Sequence, residues 1–96
     1  MTITWSFQAR IDYWSNIDYL EDEWSESEVR SFIENVDYNI SLLKLNTVLF
    51  NATKYKNVFR VTVTKHITLF YSLNGDEIIL LRFWSNFQNP DNFRLL

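Results

Sequence analysis

Apolar and polar positions alternate with a period of two in three runs of the chain, from about Val58 to Val63, Ile67 to Leu73 and Glu77 to Trp84. That period is the mark of β-strands. Asn74-Gly75-Asp76, which holds the only glycine, separates the second run from the third, and a reversal there calls for a positive φ. Lys65-His66 marks the other reversal. The three runs predict an antiparallel meander with the Ile67 to Leu73 run in its centre.

Alternation also assigns faces. Phe59, Val61 and Val63, then Ile67, Leu69, Tyr71 and Leu73, then Ile79, Leu81 and Phe83 form the face expected to be buried. Arg60 and Thr62, then Thr68, Phe70 and Ser72, then Ile78, Leu80, Arg82 and Trp84 fall on the opposite face. Arg60 and Arg82 thus share one surface, on the strands flanking the central one, with Phe70 and Trp84 near them. Two guanidinium groups beside exposed rings suit a phosphate-bearing ligand with a base to stack, or a partner's carboxylates.

The period changes in the first half of the chain. Thr2 to Trp5 alternate and predict a short strand at the meander's edge. A helix entered at Ser6 runs to about Glu23, with Tyr13, Ile17, Leu20 and Trp24 on one stripe. Ser25 and Glu28 make a capping box that restarts the helix. Val29, Phe32, Ile33, Val36, Ile40 and Leu43 then recur at helical spacing. Two nearly contiguous helices predict an antiparallel hairpin laid on the sheet. Leu45 to Tyr55 reads as a loop that delivers Lys54 and Lys56 to the meander. The amide-rich stretch after Trp84, with the only proline, reads as a tail without regular structure.

With 96 residues the chain is one domain, spanning 1–96, with a single core. Cysteine is absent, which fits a reducing compartment and excludes a disulfide frame, a thiolate metal site and a cysteine nucleophile. Neither a leader nor a membrane-spanning run is visible, so the expected location is cytoplasmic. The net charge of −3 hides a division. Nine acidic and three basic residues lie before Lys54, while six basic and three acidic residues follow from Lys54 onward. Any polyanion is expected to meet the sheet half.

Three segments resemble the RelE/ParE superfamily, the toxin halves of bacterial type II toxin-antitoxin pairs. They are Ala9-Arg10-Ile11-Asp12-Tyr13 through Asp18-Tyr19-Leu20 to Trp24-Ser25, then Lys65-His66-Ile67-Thr68-Leu69-Phe70-Tyr71, then Leu80-Leu81-Arg82-Phe83-Trp84-Ser85-Asn86-Phe87-Gln88-Asn89-Pro90. The last is the most specific, since similar members often read FWDNRQNP there; this chain has Ser85 and Phe87 where those have an acid and an arginine. The resemblance implies an α+β fold, β-α-α-β-β-β, with a helical hairpin packed on a twisted antiparallel sheet. It implies a cognate antitoxin as partner, and as target either messenger RNA in the ribosome, which is cleaved, or DNA gyrase, which is inhibited. A non-toxic member that only binds an antitoxin is the alternative.

Metal-free RNA cleavage needs a base for the 2′-hydroxyl proton, positive charge for the phosphorane and an acid for the leaving oxygen. A RelE-like site would take Arg60 and Arg82 for the charge and Lys54 or Lys56 for the base, without a metal or cofactor. Trp84 or Phe87 would stack a base, and His66 would lie near the target. The tyrosine that RelE-like ribonucleases commonly carry near the C-terminus has no counterpart after Trp84; Tyr55 and His66 match it in chemistry only. Phe70, Leu80 and Trp14, if exposed, would form an apolar surface for the antitoxin. The plainer reading makes Arg60 and Arg82 surface ion-pair partners of the antitoxin or Asp91, Lys54 and Lys56 solvated loop residues, and His66 a turn residue.

Overall fold

The structure, a computed structural model, describes residues 1–45, 50–88 and 92–95. Its order is β1 (Thr2–Trp5), α1 (Phe7–Glu23), α2 (Glu26–Lys44), β2 (Asn51–Ala52), β3 (Val58–Thr64), β4 (Ile67–Asn74) and β5 (Glu77–Ser85). Both helix starts follow from their caps. Ser6 Oγ accepts the Ala9 amide at 3.0 Å and Ser25 Oγ accepts the Glu28 amide at 3.3 Å, each taking one donor that the first turn leaves unpaired. Gly75, at φ +61°, turns β4 into β5. Asn57 has the same φ just before β3, and asparagine tolerates that left-handed region better than most residues.

The strands form one sheet in the order β1-β5-β4-β3-β2. The β3–β4–β5 meander is antiparallel, as its period predicts. Two features depart from expectation. β1 runs parallel to β5, so the sheet is mixed rather than antiparallel throughout, and β2 pairs with β3 inside the stretch that reads as loop. Two residues are too few to show an alternation. None of the described helices is long and apolar enough to cross a membrane.

A third departure changes which residues are inside. The β4–β5 register steps from Phe70↔Arg82 to Tyr71↔Leu80, leaving Leu81 as an extra residue in β5. Such a bulge reverses the facing of every position beyond it. Phe83 remains inward and Arg82 and Trp84 outward, but on the other side of the bulge it is Ile78 and Leu80 that enter the core, not Ile79 and Leu81. Leu80 is fully buried, with 0% exposure, so it is core and not an antitoxin contact.

The helices cover the inner face. Ala9, Ile17 and Leu20 of α1 and Phe32, Val36 and Leu43 of α2 meet Val61, Val63, Ile67, Leu69, Tyr71, Ile78, Leu80 and Phe83 of the sheet. Tyr13 packs edge-on to Trp5 at 5.2 Å and also meets Phe32 and Phe83. α1 additionally closes the edge that β1, only four residues long, leaves uncovered. Ser6 N donates to Leu80 O, Ser6 Oγ to Leu81 O and Asn16 Nδ2 to Phe83 O, while the Phe83 amide donates to Asp12 Oδ2 at 3.0 Å. Side chains of a helix thus replace a neighbouring strand, and this explains why Asp12 and Asn16 are buried on an otherwise apolar stripe.

Tyr71 lies in the core against Phe59 and Phe50. Burial raises its hydroxyl above the ordinary 10.0; the Phe50 backbone pulls it back in part, though the hydroxyl makes no hydrogen bond of ordinary geometry among the described residues. Tyr13 is raised too, by burial and then by Asp37. In the unfolded chain both ionise near pH 10, while the folded chain keeps its protons, so the contribution of these two phenols to stability is constant below that pH and declines as pH rises from about 10 through the folded values. Urea midpoints measured between pH 9 and 11 should fall, and fall less steeply in Tyr71→Phe.

Candidate functional site

One row of residues crosses the outer face. Asn51 pairs with Arg60, Arg60 with Phe70, and Phe70 with Arg82, across β2, β3, β4 and β5. Neighbouring strands lie about 4.8 Å apart, which puts the two arginine backbones roughly 10 Å from each other with Phe70 between them. Both leave the sheet on this side, but they meet different fates.

Arg60 is exposed. It lines an open cleft of about 540 Å³ with Lys54, Tyr55, Phe70 and Phe93. The β2–β3 connection shapes the cleft wall: Thr53 Oγ1 accepts the Tyr55 amide at 3.1 Å and donates to Val58 O at 2.9 Å, and Thr53 N donates to the same carbonyl. This tight loop presents Lys54 and Tyr55 together, with Lys54 Nζ 5.4 Å from the centre of the Tyr55 ring. The cleft therefore combines two cations, a phenol with 48% of its residue surface exposed, and two apolar rings. Cations bind phosphate oxygens, rings stack bases, and a phenol can donate a proton.

Arg82 is only 9% exposed. Its Nε donates to Asp12 Oδ2 at 2.6 Å and its Nη2 to Asp12 Oδ1 at 3.1 Å, a bidentate pair with α1. Its Nη1 donates to the Arg94 carbonyl, and the guanidinium lies 5.5 Å from the centre of the Trp84 ring. The expectation of two matching guanidiniums open to an anion is corrected here. Asp12 needs Arg82 to offset its own buried charge, so Arg82 is a structural cation of the α1–β5 junction and Arg60 alone of the two faces the cleft.

The other predicted residues separate as follows. Phe70 lines the cleft. Trp84 lies on the outer face but is 7% exposed, because Phe93 packs over it at 4.9 Å and edge-on to Phe70 at 4.8 Å. Lys56 is exposed and is not part of the cleft wall. His66 and Phe87 lie elsewhere, in an aromatic cluster with Trp24 and Tyr19 at the β3–β4 turn. His66 is a turn residue through its backbone, whose carbonyl takes the Asn86 amide at 2.7 Å, while the Nε2 of its ring is buried without a hydrogen-bond partner among the described residues. Trp14, 62% exposed, projects from α1 beside Phe7 and Ile11, at positions 7, 11 and 14 of one helical stripe. Asp91 lies outside the described residues.

Three residues gain importance that pattern alone did not give them. Asp12 orients Arg82, Tyr55 enters the cleft, and Phe93 roofs it. The available signal for Asp12 was its place at i+3 from Ala9 and four before Asn16, polar positions within a buried stripe.

No protein-family model matches the chain, and no curated protein sequence matches it. Solved structures do. The chain is similar to a chain of the chromosomal ParDE TA system from P. aeruginosa (TM-score 0.72, 16% identity, covering 88% of this chain and 95% of that one). It is similar to a copper-bound mutant toxin from Helicobacter pylori (TM-score 0.67, 18% identity, 97% and 99% covered). It is also similar to a chain of the E. coli DinJ-YafQ complex (TM-score 0.60, 16% identity, 86% and 90% covered). Two helices on one face of a five-stranded mixed sheet, shared along nearly the full length of these structures, give this chain the RelE/ParE-like fold.

Proposed function

We propose that the chain is the toxin of a type II toxin-antitoxin pair and that it cleaves messenger RNA without a metal, using the cleft between the β2–β3 loop and the outer face of the sheet. The observation that carries this reading is the meeting of Lys54, Tyr55, Arg60 and Phe70 around one open space. In the reaction the 2′-oxygen bonds to phosphorus while the bond to the 5′-oxygen breaks, leaving a 2′,3′-cyclic phosphate and a 5′-hydroxyl. Arg60 balances the charge that builds on the phosphorane. Lys54 is the cleft's amine for the 2′-hydroxyl proton and Tyr55 its phenol for the leaving 5′-oxygen. Phe70 supports the adjoining base. Arg82 acts through position: held by Asp12, it fixes β5 against α1.

The partner in this reading is an antitoxin, as in the ParDE, DinJ-YafQ and YoeB-YefM structures. The Phe7, Ile11 and Trp14 stripe offers it an apolar helical face, 80%, 43% and 62% exposed in turn. Inhibition of DNA gyrase is the second reading. It is favoured by the similarity to the ParDE chain and by the commitment of Arg82 to Asp12, which leaves the cleft one cation fewer.

Purified protein added to a translating extract decides between them. Messages should be cut, with cyclic-phosphate ends. Intact messages together with blocked gyrase supercoiling would support the second reading instead.

A further inference from the structure

The tail presents two groups to the outer face at adjacent residues. The Phe93 ring sits against Phe70 and Trp84, and the carbonyl of Arg94 accepts from Arg82 Nη1. Arg82 has its Nε and Nη2 fixed on Asp12, so Nη1 is the hydrogen-bonding edge it turns to this slot. A flat ring with a carbonyl acceptor beside it is also the outline of a keto nucleobase, uracil or guanine. Adenine presents an amino group at the corresponding edge, which an arginine, having donors only, cannot pair with. The slot is next to the anion site, since Phe70 is the direct cross-strand neighbour of Arg60.

We propose that the space between Phe70, Trp84 and Arg82 Nη1 is a binding slot for a keto nucleobase, and that Phe93 and the Arg94 carbonyl are its built-in occupant, exchanged for the base when RNA enters. This rests on the RNA reading of the cleft. Phe93 belongs to both the cleft wall and the slot, so its departure joins the two into one continuous groove. Among the described residues the Phe93 ring packs on two others and the Arg94 carbonyl takes one edge of Arg82. A base with its neighbouring phosphate on Arg60 makes the same contacts and adds an ionic one.

The test is equilibrium binding of uridine and adenosine trinucleotides to the full chain, to Phe93→Ala and to Arg60→Ala. Phe93→Ala should bind the uridine trimer at least fivefold more tightly than the wild type, with a smaller gain for the adenosine trimer. Adding Phe70→Leu to Phe93→Ala should remove most of that gain. Unchanged or weaker uridine binding in Phe93→Ala, or an equal gain for adenosine, overturns the slot. If Arg60→Ala weakens RNA binding while Phe93→Ala has no effect, the slot falls and the cleft reading stands; if no chain binds either trimer, both fall.

Discussion

Asp12→Ala should destabilise the fold by about 3–5 kcal/mol, the usual effect of stripping one partner from a buried ion pair. Asp12 is 7% exposed and satisfies Arg82 Nε, Arg82 Nη2 and the Phe83 amide at once. Its removal leaves a charge in a dry junction and an edge amide with no acceptor. For a domain of this size that loss corresponds to a melting temperature lower by at least about 12 °C. Urea unfolding of the two chains measures it. Asp12→Ala/Arg82→Met, which removes the stranded charge as well, should recover a good part of the stability; a double variant no better than the single one would show that the pair is not the source.

Arg60→Ala should behave in the opposite way. Arg60 is exposed, so its loss should change stability by no more than about 0.5 kcal/mol. RNA cleavage should nevertheless fall by roughly 10²- to 10³-fold, the range seen when one preorganised group that stabilises transition-state charge is removed. The comparison separates the two arginines of one row: Arg82 holds the architecture together, and Arg60 is available for chemistry. A cleavage rate unchanged in a folded Arg60→Ala chain would remove Arg60 from the mechanism.

Much of this architecture is legible in the residues themselves. Alternation through Val58 to Trp84 gives three strands, Gly75 gives their turn, and Ser6 and Ser25 give the two helix starts. What is not legible is the exception at Leu81. A bulge without glycine or proline leaves no mark on an apolar run, yet it exchanges Leu80 for Leu81 in the core and so removes one residue from the expected antitoxin surface. Arg82 shows a related limit. Strand parity sends it to the outer face, as observed, but cannot say that its guanidinium is turned along the edge to a carboxylate seventy residues earlier. That partner was hidden because α1 uses polar side chains, Asp12 and Asn16, where its periodic stripe predicts packing alone.

The cleft was half visible. Arg60 and Phe70 are placed together by alternation, and Lys54 by its position before the first meander strand. Tyr55 joins them only because the two-residue strand β2 and the Thr53 hydrogen bonds fold the loop back on itself. Lys56, one residue further, is left outside. His66 and Phe87 belong instead to the ring cluster at the far turn, with Trp24 and Tyr19.

The most direct test of the central claim, that the outer face of the sheet is the surface that meets RNA, is a titration of the isotope-labelled protein with a short single-stranded RNA, following the backbone amides by NMR. Shifts confined to Thr53–Tyr55, Arg60, Phe70 and the segment around Phe93 are the predicted result. Shifts centred on α1 and α2, or none at saturating RNA, would contradict it.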